Sequence, residues 1–473
     1  MRLKINILFP ILLILFVSLA CSLPTSGSEP TEEEIANANA TSVAATLTAL
    51  APTPAPELPT EVVNPPADTP APEAEPTASE PTPKFKPDIL KLAAVDANGN
   101  LVVWQEGSSS VTLITSADIT DVALSPDGEW VVYVRSTLDH TNASLWAIRF
   151  NGLDQKQLVS TVDFMSMNMG SDVSDPADVT SIMPSMMKFI PGTHTLAFTN
   201  RIYFQGPGVE FNEDLWFVNV DTGEQRSFLS PGQAGQFYFS PDGQQMALVV
   251  PDRIDLLNTD GSNRRYGVLT YPFVYTYSEY AYYATPVWSP DSTFLRVAIP
   301  PQDPLGDSTG QVKIYHIPTD GSMASQLASV SVNPLGGATL APDVNHYAYK
   351  QVIGDPAANQ FSLKIADLAG MAPVEFTTGS FNFGEWAPDS SHFYFTNFDP
   401  STTYIGQVGV PGVIALDATP VSSIHWITNE SFFFVYQSAG NYQLRWGTLS
   451  TPSGEIVNLG YGDRQPFYTF VTP

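Results

Sequence analysis

Short apolar runs alternate with polar turns along most of the chain, and residues 236–243 show the pattern most clearly. There Gln-Phe-Tyr-Phe runs into Ser-Pro-Asp-Gly. Proline presets φ at a turn corner, aspartate can hydrogen-bond the backbone two residues on, and glycine accepts the left-handed conformation. The pattern therefore predicts a β-hairpin in which one short strand enters the turn and another leaves it.

The same unit recurs along the chain. Further copies lie at residues 124–128, 189–192, 288–291, 340–343, 386–389 and, in degenerate form, 426–429. Successive turns are separated by about 40 to 65 residues, and repeats of this length filled with short strands are typical of propeller blades. The residue two positions before each turn proline is large and apolar, which indicates a repeated core position.

The three predicted strands nearest the N-terminus look like the last three strands of a blade whose first strand is missing. They cover residues 90–95, 101–105 and 111–115, and no proline turn precedes them. An isolated apolar strand at residues 466–471 can supply the missing one. The sequence therefore predicts an all-β fold: a β-propeller of eight four-stranded blades, closed by pairing of the N- and C-terminal strands. Seven blades is the alternative if the N-terminal strands pack differently.

The repeat resembles the TolB-like, WD-repeat-like β-propeller unit. The resemblance rests on the aromatic-Ser-Pro-Asp-Gly turn at residues 239–243 and on the later Leu-Trp strands at residues 145–146 and 215–216. It covers about residues 89–471. Prolyl oligopeptidase and dipeptidyl peptidase families carry similar propellers beside a hydrolase domain, but the predicted strands leave no length for one. We therefore expect neither an α/β-hydrolase domain nor its nucleophile elbow.

Residues 1–20 have the pattern of a secretion signal. Basic Arg2 and Lys4 precede an apolar run at residues 7–17, which is shorter than the roughly 20 residues of a membrane span. Cys21, the single cysteine of the sequence, ends a Ser-Leu-Ala-Cys stretch. That stretch resembles the lipobox of bacterial lipoproteins, which implies an extracytoplasmic protein anchored to the cell membrane by a lipid on Cys21. The alternatives are ordinary signal-peptide cleavage and an uncleaved anchor.

Residues 21–85 are predicted to be a disordered tether, and residues 86–473 the propeller domain. Between residues 22 and 83 there are ten acidic residues and no lysine or arginine, among many prolines, threonines and alanines. Such a segment cannot bury enough apolar surface to offset its ordering entropy. The formal charge of the 473-residue sequence is −28, which argues against nucleic acid and anionic membrane surfaces as partners. We expect a monomer that reaches the membrane only through its lipid.

One face of the predicted propeller carries the long connections, and function concentrates on loops that a rigid scaffold presents. These connections lie at residues 136–144, 160–185, 201–214, 300–311, 353–360 and 397–407. A further one, at residues 271–283, contains seven candidate ligand-binding residues: Tyr271, Phe273, Tyr275, Tyr277, Tyr280, Tyr282 and Tyr283. Tyrosine offers rigid amphipathic area to sugar rings or peptides. The alternative is that half of these rings pack the connection onto the blades.

The connection at residues 160–185 holds two sets of side chains that can bind metal ions. The sets are Met165, Met167 and Met169, and Asp172, Asp175 and Asp178. Thioethers accept Cu(I), but adaptable packing is the more common role of methionine. The aspartates offer oxygen ligands to Ca²⁺ but lack EF-hand spacing. The sequence therefore predicts no metal site and no cofactor.

Several histidines occupy equivalent positions in different repeats. His194, His346 and His392 lie at the start of the second strand, and residues in different blades do not share a metal ion, so we expect them to flank turns. Glu385 and His425 occupy equivalent positions in two repeats, on innermost strands, and can line the central channel. Two interpretations of this pair stay open: an acid/base set and structural hydrogen bonding between blades.

No established catalytic motif accompanies the repeats. The sequence lacks His-Glu-x-x-His, the P-loop, the dinucleotide-binding fingerprint and a cysteine metal cluster. We therefore expect a non-catalytic, surface-tethered binding propeller that recognises a peptide, protein or glycan through its long-loop face. The alternatives are a propeller enzyme, a lyase or hydrolase acting on glycans near Glu385 and His425, and an accessory subunit of a membrane complex. Fold alone does not choose among them.

Overall fold

The computed structural model describes residues 85–473 except 138, 171–172, 174, 206–207, 279, 305, 307–309, 332–336, 355–359, 417–420, 451–453 and 463. The described residues form eight β-sheets arranged as a β-propeller, which confirms the predicted fold class and blade number. Helical structure in this part comprises helix α1 (Thr161–Met165) and one 3₁₀ turn (Pro176–Asp178). The predicted leader, Cys21 and the tether up to residue 84 lie outside the described residues and remain predictions.

The blades are numbered in chain order by their innermost strands. Strands of the first four blades are β4 (Ile119–Leu124), β5 (Trp130–Arg135), β6 (Ser144–Arg149) and β7 (Lys156–Val159) in blade 1; β8 (Val179–Phe189), β9 (Thr195–Phe204), β10 (Val209–Phe211), β11 (Leu215–Asn219) and β12 (Gln225–Leu229) in blade 2; β13 (Gln236–Phe239), β14 (Gln245–Val250), β15 (Arg253–Asn258) and β16 (Arg265–Thr270) in blade 3; and β17 (Val287–Trp288), β18 (Phe294–Ile299), β19 (Val312–Pro318) and β20 (Ser325–Val330) in blade 4.

The second half of the ring has the same plan. Its strands are β21 (Ala338–Leu340), β22 (His346–Val352), β23 (Phe361–Asp367) and β24 (Val374–Gly379) in blade 5; β25 (Phe381–Trp386), β26 (His392–Phe398), β27 (Ser401–Gln407) and β28 (Val410–Ala415) in blade 6; β29 (Val421–Trp426), β30 (Ser431–Ser438), β31 (Asn441–Thr448) and β32 (Gly454–Tyr461) in blade 7; and β33 (Phe467–Val471), β1 (Lys91–Val95), β2 (Leu101–Gln105) and β3 (Val111–Ile114) in blade 8.

The ring closes through strands from opposite ends of the chain. β33, the innermost strand of blade 8, pairs antiparallel with β1 from Lys91 opposite Val471 to Val95 opposite Phe467. On its other side β1 pairs with β2 along its whole length. Residues 92–95 are completely buried, because their side chains pack against blades 1 and 7. The predicted closure is confirmed.

A buried serine hydroxyl organises the repeated turn. In blade 1, Ser125 donates to Asp127 Oδ1 at 2.7 Å and accepts from the Trp130 N–H at 2.9 Å. Ser240 and Ser289 make the equivalent bonds in blades 3 and 4. The serine therefore ties the turn to the start of the second strand; in blade 5, where alanine replaces it, Asp343 Oδ1 accepts from the His346 N–H at 3.0 Å instead.

Tryptophans before three of the turns fasten neighbouring blades. Each indole N–H donates to a backbone carbonyl on the innermost strand of the preceding blade: Trp288 to Tyr238 at 3.0 Å, Trp386 to Thr339 at 3.3 Å and Trp426 to Glu385 at 3.3 Å. The three rings are at least nine-tenths buried. The repeated large apolar position is thus both a core position and, where it is tryptophan, a bond between blades.

The two faces of the ring differ in the length of their connections. The short-loop face carries the turns between first and second and between third and fourth strands. The long-loop face carries the other connections, and its longest lie over blades 1 to 5, at residues 136–143, 160–178, 205–214, 271–286, 300–311 and 353–360. The long connections therefore crowd over one side of the ring.

Three predicted connections differ from the structure. Residues 397–407, predicted as a long loop, form a hairpin, since β26 continues to Phe398 and β27 begins at Ser401. An Asp-Pro pair forms the corner, a tight-turn signal, and alternate β27 side chains are buried. Residues 179–185 belong to β8, and residues 201–204 to β9. These two strands continue past the ring because they pair with each other.

Candidate functional site

Three of the seven candidate aromatic residues hold the connection at residues 271–286 on the blades. Tyr271 is buried, and its hydroxyl donates to a β14 backbone carbonyl at 2.9 Å. Tyr282 and Tyr283 pack against the core between blades 3 and 4, and Tyr283 donates to Glu213 Oε1 at 2.6 Å. Burial raises the pKa of all three tyrosines, so they remain hydroxyl donors.

The other four candidates project from the same connection. Phe273, Tyr275, Tyr277 and Tyr280 are 47%, 49%, 61% and 55% exposed, and together they form what we call the exposed aromatic patch. The Tyr277 hydroxyl donates to Asp303 of the next long connection. Buried neighbours thus fix the backbone from which the patch projects, and rigid aromatic side chains of this kind are typical binding anchors.

Two cavities flank the aromatic connection on the long-loop face. The first, of about 550 Å³, lies toward blade 2, and we call it the acidic cavity. The residues that line it include Glu210, Phe211, Glu213, Tyr280 and Tyr283. The second, of about 430 Å³, lies toward blades 4 and 5 and is lined by residues such as Tyr275, Tyr282 and Pro300. Both volumes fall within the range of ligand sites.

An extension of blade 2 forms one wall of the acidic cavity. β8 and β9 have 11 and 10 residues, and β10 pairs with the outer part of β9. Ile182 and Ile202 face each other across β8 and β9, and both are buried in the cluster that contains Phe164 of α1. We call β10 and the outer parts of β8 and β9 the blade 2 extension.

The buried carboxylate of Asp214 holds this extension in place. It accepts hydrogen bonds from the Asn200 N–H at 2.8 Å, Asn200 Nδ2 at 2.7 Å, Asn212 Nδ2 at 2.9 Å and Trp216 Nε1 at 3.0 Å. Asn212 Oδ1 in turn accepts from the Gly170 N–H at 2.9 Å. One carboxylate therefore joins β9, the segment after β10, β11 and the connection that follows α1.

Neither Asp214 nor the residues of β10 were predicted as site residues. A signal for Asp214 exists, because Asp-Leu-Trp at residues 214–216 matches Ser-Leu-Trp at residues 144–146, and in both copies the first side chain accepts from the indole. Glu210 and Phe211 belong to a segment without a counterpart in the other repeats, so comparison of repeats gives no signal for them.

Residues 306–310 read Gly-Asp-Ser-Thr-Gly, which has the spacing of a nucleophile elbow. The expectation that no elbow occurs overlooked this match. The five residues belong to the connection between β18 and β19, which pair antiparallel with each other. An elbow leads from a strand into a helix, whereas this connection joins two strands, so the spacing by itself gives no support for a nucleophile elbow.

Glu385 and His425 meet at the wall of the central channel. His425 Nδ1 lies 2.9 Å from Glu385 Oε2, and both side chains are nearly half exposed. The His425 ring contacts Tyr468 edge-on at 5.3 Å. Burial, with the charge of Glu385, raises the pKa of Tyr394 to about 12. The structure thus brings the predicted pair together as a hydrogen bond between blades 6 and 7.

A cationic side chain lies in the channel on blade 2, across the ring from blade 6. Lys188 lines a cavity of about 520 Å³ together with Tyr238 and Trp288. Its Nζ lies 4.9 Å from the Tyr238 ring centroid. The side chain is exposed within the channel, but the surrounding channel wall partly desolvates the ammonium group and lowers its pKa. The channel therefore carries a cation and a carboxylate on opposing walls.

His194 joins turns of blades 1 and 2 on the short-loop face. Its Nε2 lies 2.7 Å from Asp127 Oδ2, and its Nδ1 lies 2.7 Å from Asp221 Oδ2. Burial disfavours the imidazolium, but the two carboxylates outweigh it and raise the pKa of His194. Arg149 Nη2, 4.0 Å from Asp221, and Lys156, which donates to the Asp221 carbonyl, are the other charges facing the group.

The His194 bridge predicts a pH-dependent contribution to stability. Its folded pKa is raised, so the contribution is complete below about pH 6.5, the unfolded value, and is lost as pH rises through the folded value. Burial raises the pKa values of Asp127 and Asp221, but their hydrogen bonds, including those to His194, outweigh it, so that both pKa values are lowered. The contribution of these carboxylates to stability is therefore lost as pH falls below about 4. His194→Gln should therefore lower the melting temperature by about 2–4 °C at pH 5.5 and by less at pH 9.

Thermal melts of both proteins between pH 4 and pH 9 test this prediction. His392→Gln is the matched control, since His392 contacts a serine hydroxyl and no carboxylate in the described contacts. A His194→Gln deficit that stays constant across this range would refute the bridge as a charged interaction.

The candidate metal ligands have structural contacts in the part of the chain described. Met167 is buried and Met165 partly exposed, while Asp175 accepts from the Ala177 N–H and caps the 3₁₀ turn. Asp172 lies outside the described residues. Among the residues described, no three His, Cys, Asp or Glu side chains are grouped to hold a metal ion. None of the helices found in the same residues has the length and apolar character to cross a membrane.

Comparison with known proteins bears on the fold alone. No family model and no curated protein matches the sequence. Similar solved structures include a eukaryotic initiation factor (11% identity, TM-score 0.46, covering 79% of this chain and 85% of that one) and TolB from Acinetobacter baumannii (15%, 0.31, 59% and 61%). Dipeptidyl peptidase 4 from Porphyromonas gingivalis is another (12%, 0.44, 71% of this chain and 52% of that one).

The chain is an eight-bladed β-propeller. TolB and dipeptidyl peptidase-type propellers are among its structural neighbours, as the repeated turn implied. The match spans about half of the length of the dipeptidyl peptidase.

Proposed function

We propose that this propeller is a non-catalytic binding module that recognises a peptide, protein or glycan through its long-loop face. The observation that carries the proposal is the exposed aromatic patch, which lies between two cavities. Buried tyrosines of the same connection and the Asp214 hydrogen bonds support both sides of the acidic cavity. Exposed aromatic anchors beside preformed concave surfaces are the usual basis of recognition.

The path of the N-terminal segment supports the choice of face. Phe85 packs edge-on against His194 at 5.8 Å on the short-loop face. β1 begins at the same face, where Lys91 donates to the Gly128 carbonyl at 3.0 Å. The described part of the chain therefore starts on the short-loop face, opposite the long-loop face.

Replacing three rings of the exposed aromatic patch tests the binding proposal. The full chain is first screened on arrays of glycans and peptides, and each hit is measured again with a variant carrying Tyr275→Ala, Tyr277→Ala and Tyr280→Ala. We expect at least a tenfold loss of affinity, because truncation of one interface anchor typically costs about 1–2 kcal/mol. Calorimetric titration gives the dissociation constants.

The matched control is Tyr266→Ala on β16. Tyr266 is 69% exposed and lies on an outermost strand. Its substitution therefore removes an exposed aromatic ring that lies away from the long-loop face. Equal affinity of the wild-type and triple-variant proteins for every hit would reject recognition by the patch.

The Glu385–His425 pair supports a second candidate, a propeller enzyme that acts on glycans. The pair lies within hydrogen-bond distance at a solvent-accessible channel wall, so two side chains of types used in acid/base catalysis are open to a substrate. Each array hit is therefore incubated with the protein and examined for products. Turnover that disappears in Glu385→Gln would favour the enzyme, and binding without turnover favours the binding module.

We also propose that the protein is extracytoplasmic and anchored to the cell membrane by a lipid on Cys21. Cys21→Ser should release it into the soluble extracytoplasmic fraction or leave a larger, uncleaved precursor, because no other lipid-accepting cysteine exists in the sequence. Cell fractionation and electrophoresis measure both outcomes. A variant that fractionates and migrates like the wild type would show that Cys21 carries no anchor.

A further inference from the structure

β10 presents an open sheet edge on the long-loop face. Alternation of the ladder directs the backbone groups of Gly208, Glu210 and Asn212 toward β9. The N–H and C=O groups of Val209 and Phe211 therefore point to the other side. Within the described part of the chain, no strand pairs with that side of β10. Unpaired edges of this kind are templates for a further strand.

The open edge borders the acidic cavity. Val209 and Phe211 line this cavity on one side, and Tyr280 and Tyr283 line it on the other. A strand added to β10 would therefore lie inside a preformed space. The spacing of the free groups also indicates the chemistry of the occupant, since paired N–H and C=O groups that recur at every second residue match an extended peptide backbone. A sugar chain has no such alternation.

The charge of the cavity indicates the side chain that enters it. Glu210 and Glu213 contribute carboxylates, and the described lining residues include no lysine or arginine. Arg201, whose guanidinium carbon lies 4.6 Å from the Phe211 ring centroid, is not one of the lining residues. Carboxylates beside aromatic rings favour a cationic side chain, and the formal charge of −28 attracts basic partners at longer range.

We propose that an extended peptide segment containing lysine or arginine adds to the outer edge of β10 as a further strand of blade 2. Its backbone exchanges hydrogen bonds with Val209 and Phe211, and its basic side chain enters the acidic cavity between Glu210 and Glu213. The inference rests on the proposed function and names the ligand class for one part of the long-loop face.

Peptide libraries test the ligand class. The full chain is mixed with random hexapeptides, acetylated and amidated at their ends, in which one central position is fixed as lysine, norleucine or glutamate. We expect the lysine library to be retained at least tenfold more than the glutamate library, with norleucine between them. Peptides enriched from it should lose binding when alternate backbone nitrogens are methylated, and retain binding when the methyl groups are shifted by one residue.

Two variants locate the binding edge. Val209→Pro removes an N–H that does not bond β9, so the propeller should fold while the enriched peptides bind at least tenfold more weakly. Glu210→Gln with Glu213→Gln should abolish the preference for lysine over norleucine and keep backbone-dependent binding. Tyr266→Ala is the control, and circular dichroism with thermal melts establishes that each variant is folded.

The outcomes separate this inference from the broader proposal. Three results together support edge addition: preferential retention of the lysine library, loss of binding on N-methylation at alternate positions only, and weaker peptide binding by the Val209→Pro variant. Absence of lysine preference, or peptide binding that Val209→Pro leaves unchanged, overturns it. Neutral oligosaccharides such as cellopentaose and maltopentaose form the comparison arm. If they bind and depend on the exposed aromatic patch while peptides do not bind, edge addition is wrong and the binding module stands. If no array hit depends on the patch, recognition by the patch is wrong, and the peptide libraries with Val209→Pro still decide edge addition.

Discussion

A chain that ends at residue 463 is expected to be insoluble or to melt at least about 10 °C below the full chain. The deletion removes β33, whose side chains contribute to the cores shared with blades 7 and 1. It exposes apolar faces of both blades at a cost of roughly 25 cal/mol per Å², which amounts to several kcal/mol. Because folded proteins are stable by only about 5–15 kcal/mol, the loss is severe. Scanning calorimetry and the soluble fraction after expression measure it.

Removal of residues 22–83 is the control for this deletion. The predicted tether buries too little surface to contribute to the propeller, so its loss should leave the melting temperature unchanged although many more residues are missing. If the chain ending at residue 463 has the same melting temperature as the full chain, pairing of β33 with β1 does not hold the ring together.

Asp214→Asn is expected to lower the free energy of unfolding by about 3 kcal/mol or more. The carboxylate accepts four hydrogen bonds inside the protein, one at Oδ1 and three at Oδ2. An amide with its oxygen at the Oδ2 position turns its NH2 group toward the Asn200 N–H, and the three remaining bonds lose an ionised acceptor. Buried donors that lose their acceptors cost about 1–3 kcal/mol each. Urea unfolding measures the change, and hydrogen exchange of residues 199–213 should show that the blade 2 extension loosens first.

Asp154→Asn is the matched control, since the Asp154 side chain is 72% exposed and an exposed substitution changes stability by about 0.5 kcal/mol or less. The Asp214 variant should also bind any ligand of the acidic cavity more weakly, because one cavity wall is displaced. Unchanged hydrogen exchange in residues 199–213 would show that Asp214 does not position the extension.

The ring itself could be predicted because its signals are local and repeated. Ser-Pro-Asp-Gly specifies a turn wherever it occurs, and the large residue before it recurs with the same burial, as Trp288 and Trp386 show. The closure of the ring by pairing of β33 with β1, which we call the seam, could be predicted by counting strands. The first three strands lacked the innermost strand of a blade, and the last strand lacked a partner. Repetition allowed a weak signal in one blade to be interpreted from a stronger signal in another.

The site could be predicted only in part because it lies where the repeat is broken. The blade 2 extension has no counterpart, and its stability comes from contacts distant in sequence, such as Gly170 with Asn212. The composition of the aromatic connection identified seven rings, but it could not show that Tyr271 is buried and Tyr275 exposed. That division depends on partners such as Glu213, 70 residues from Tyr283 along the chain.

The seam also determines how the propeller would respond to a pulling force. β1 is paired over five residues on each side, with β2 and with β33, and the chain enters it at Lys91 on the short-loop face. Ladder hydrogen bonds run perpendicular to the strands. Tension along the axis of β1 from the preceding segment would therefore load both ladders in shear, so that the bonds share the force instead of opening one after another. The last strand of the sequence thus acts as a mechanical latch for the first.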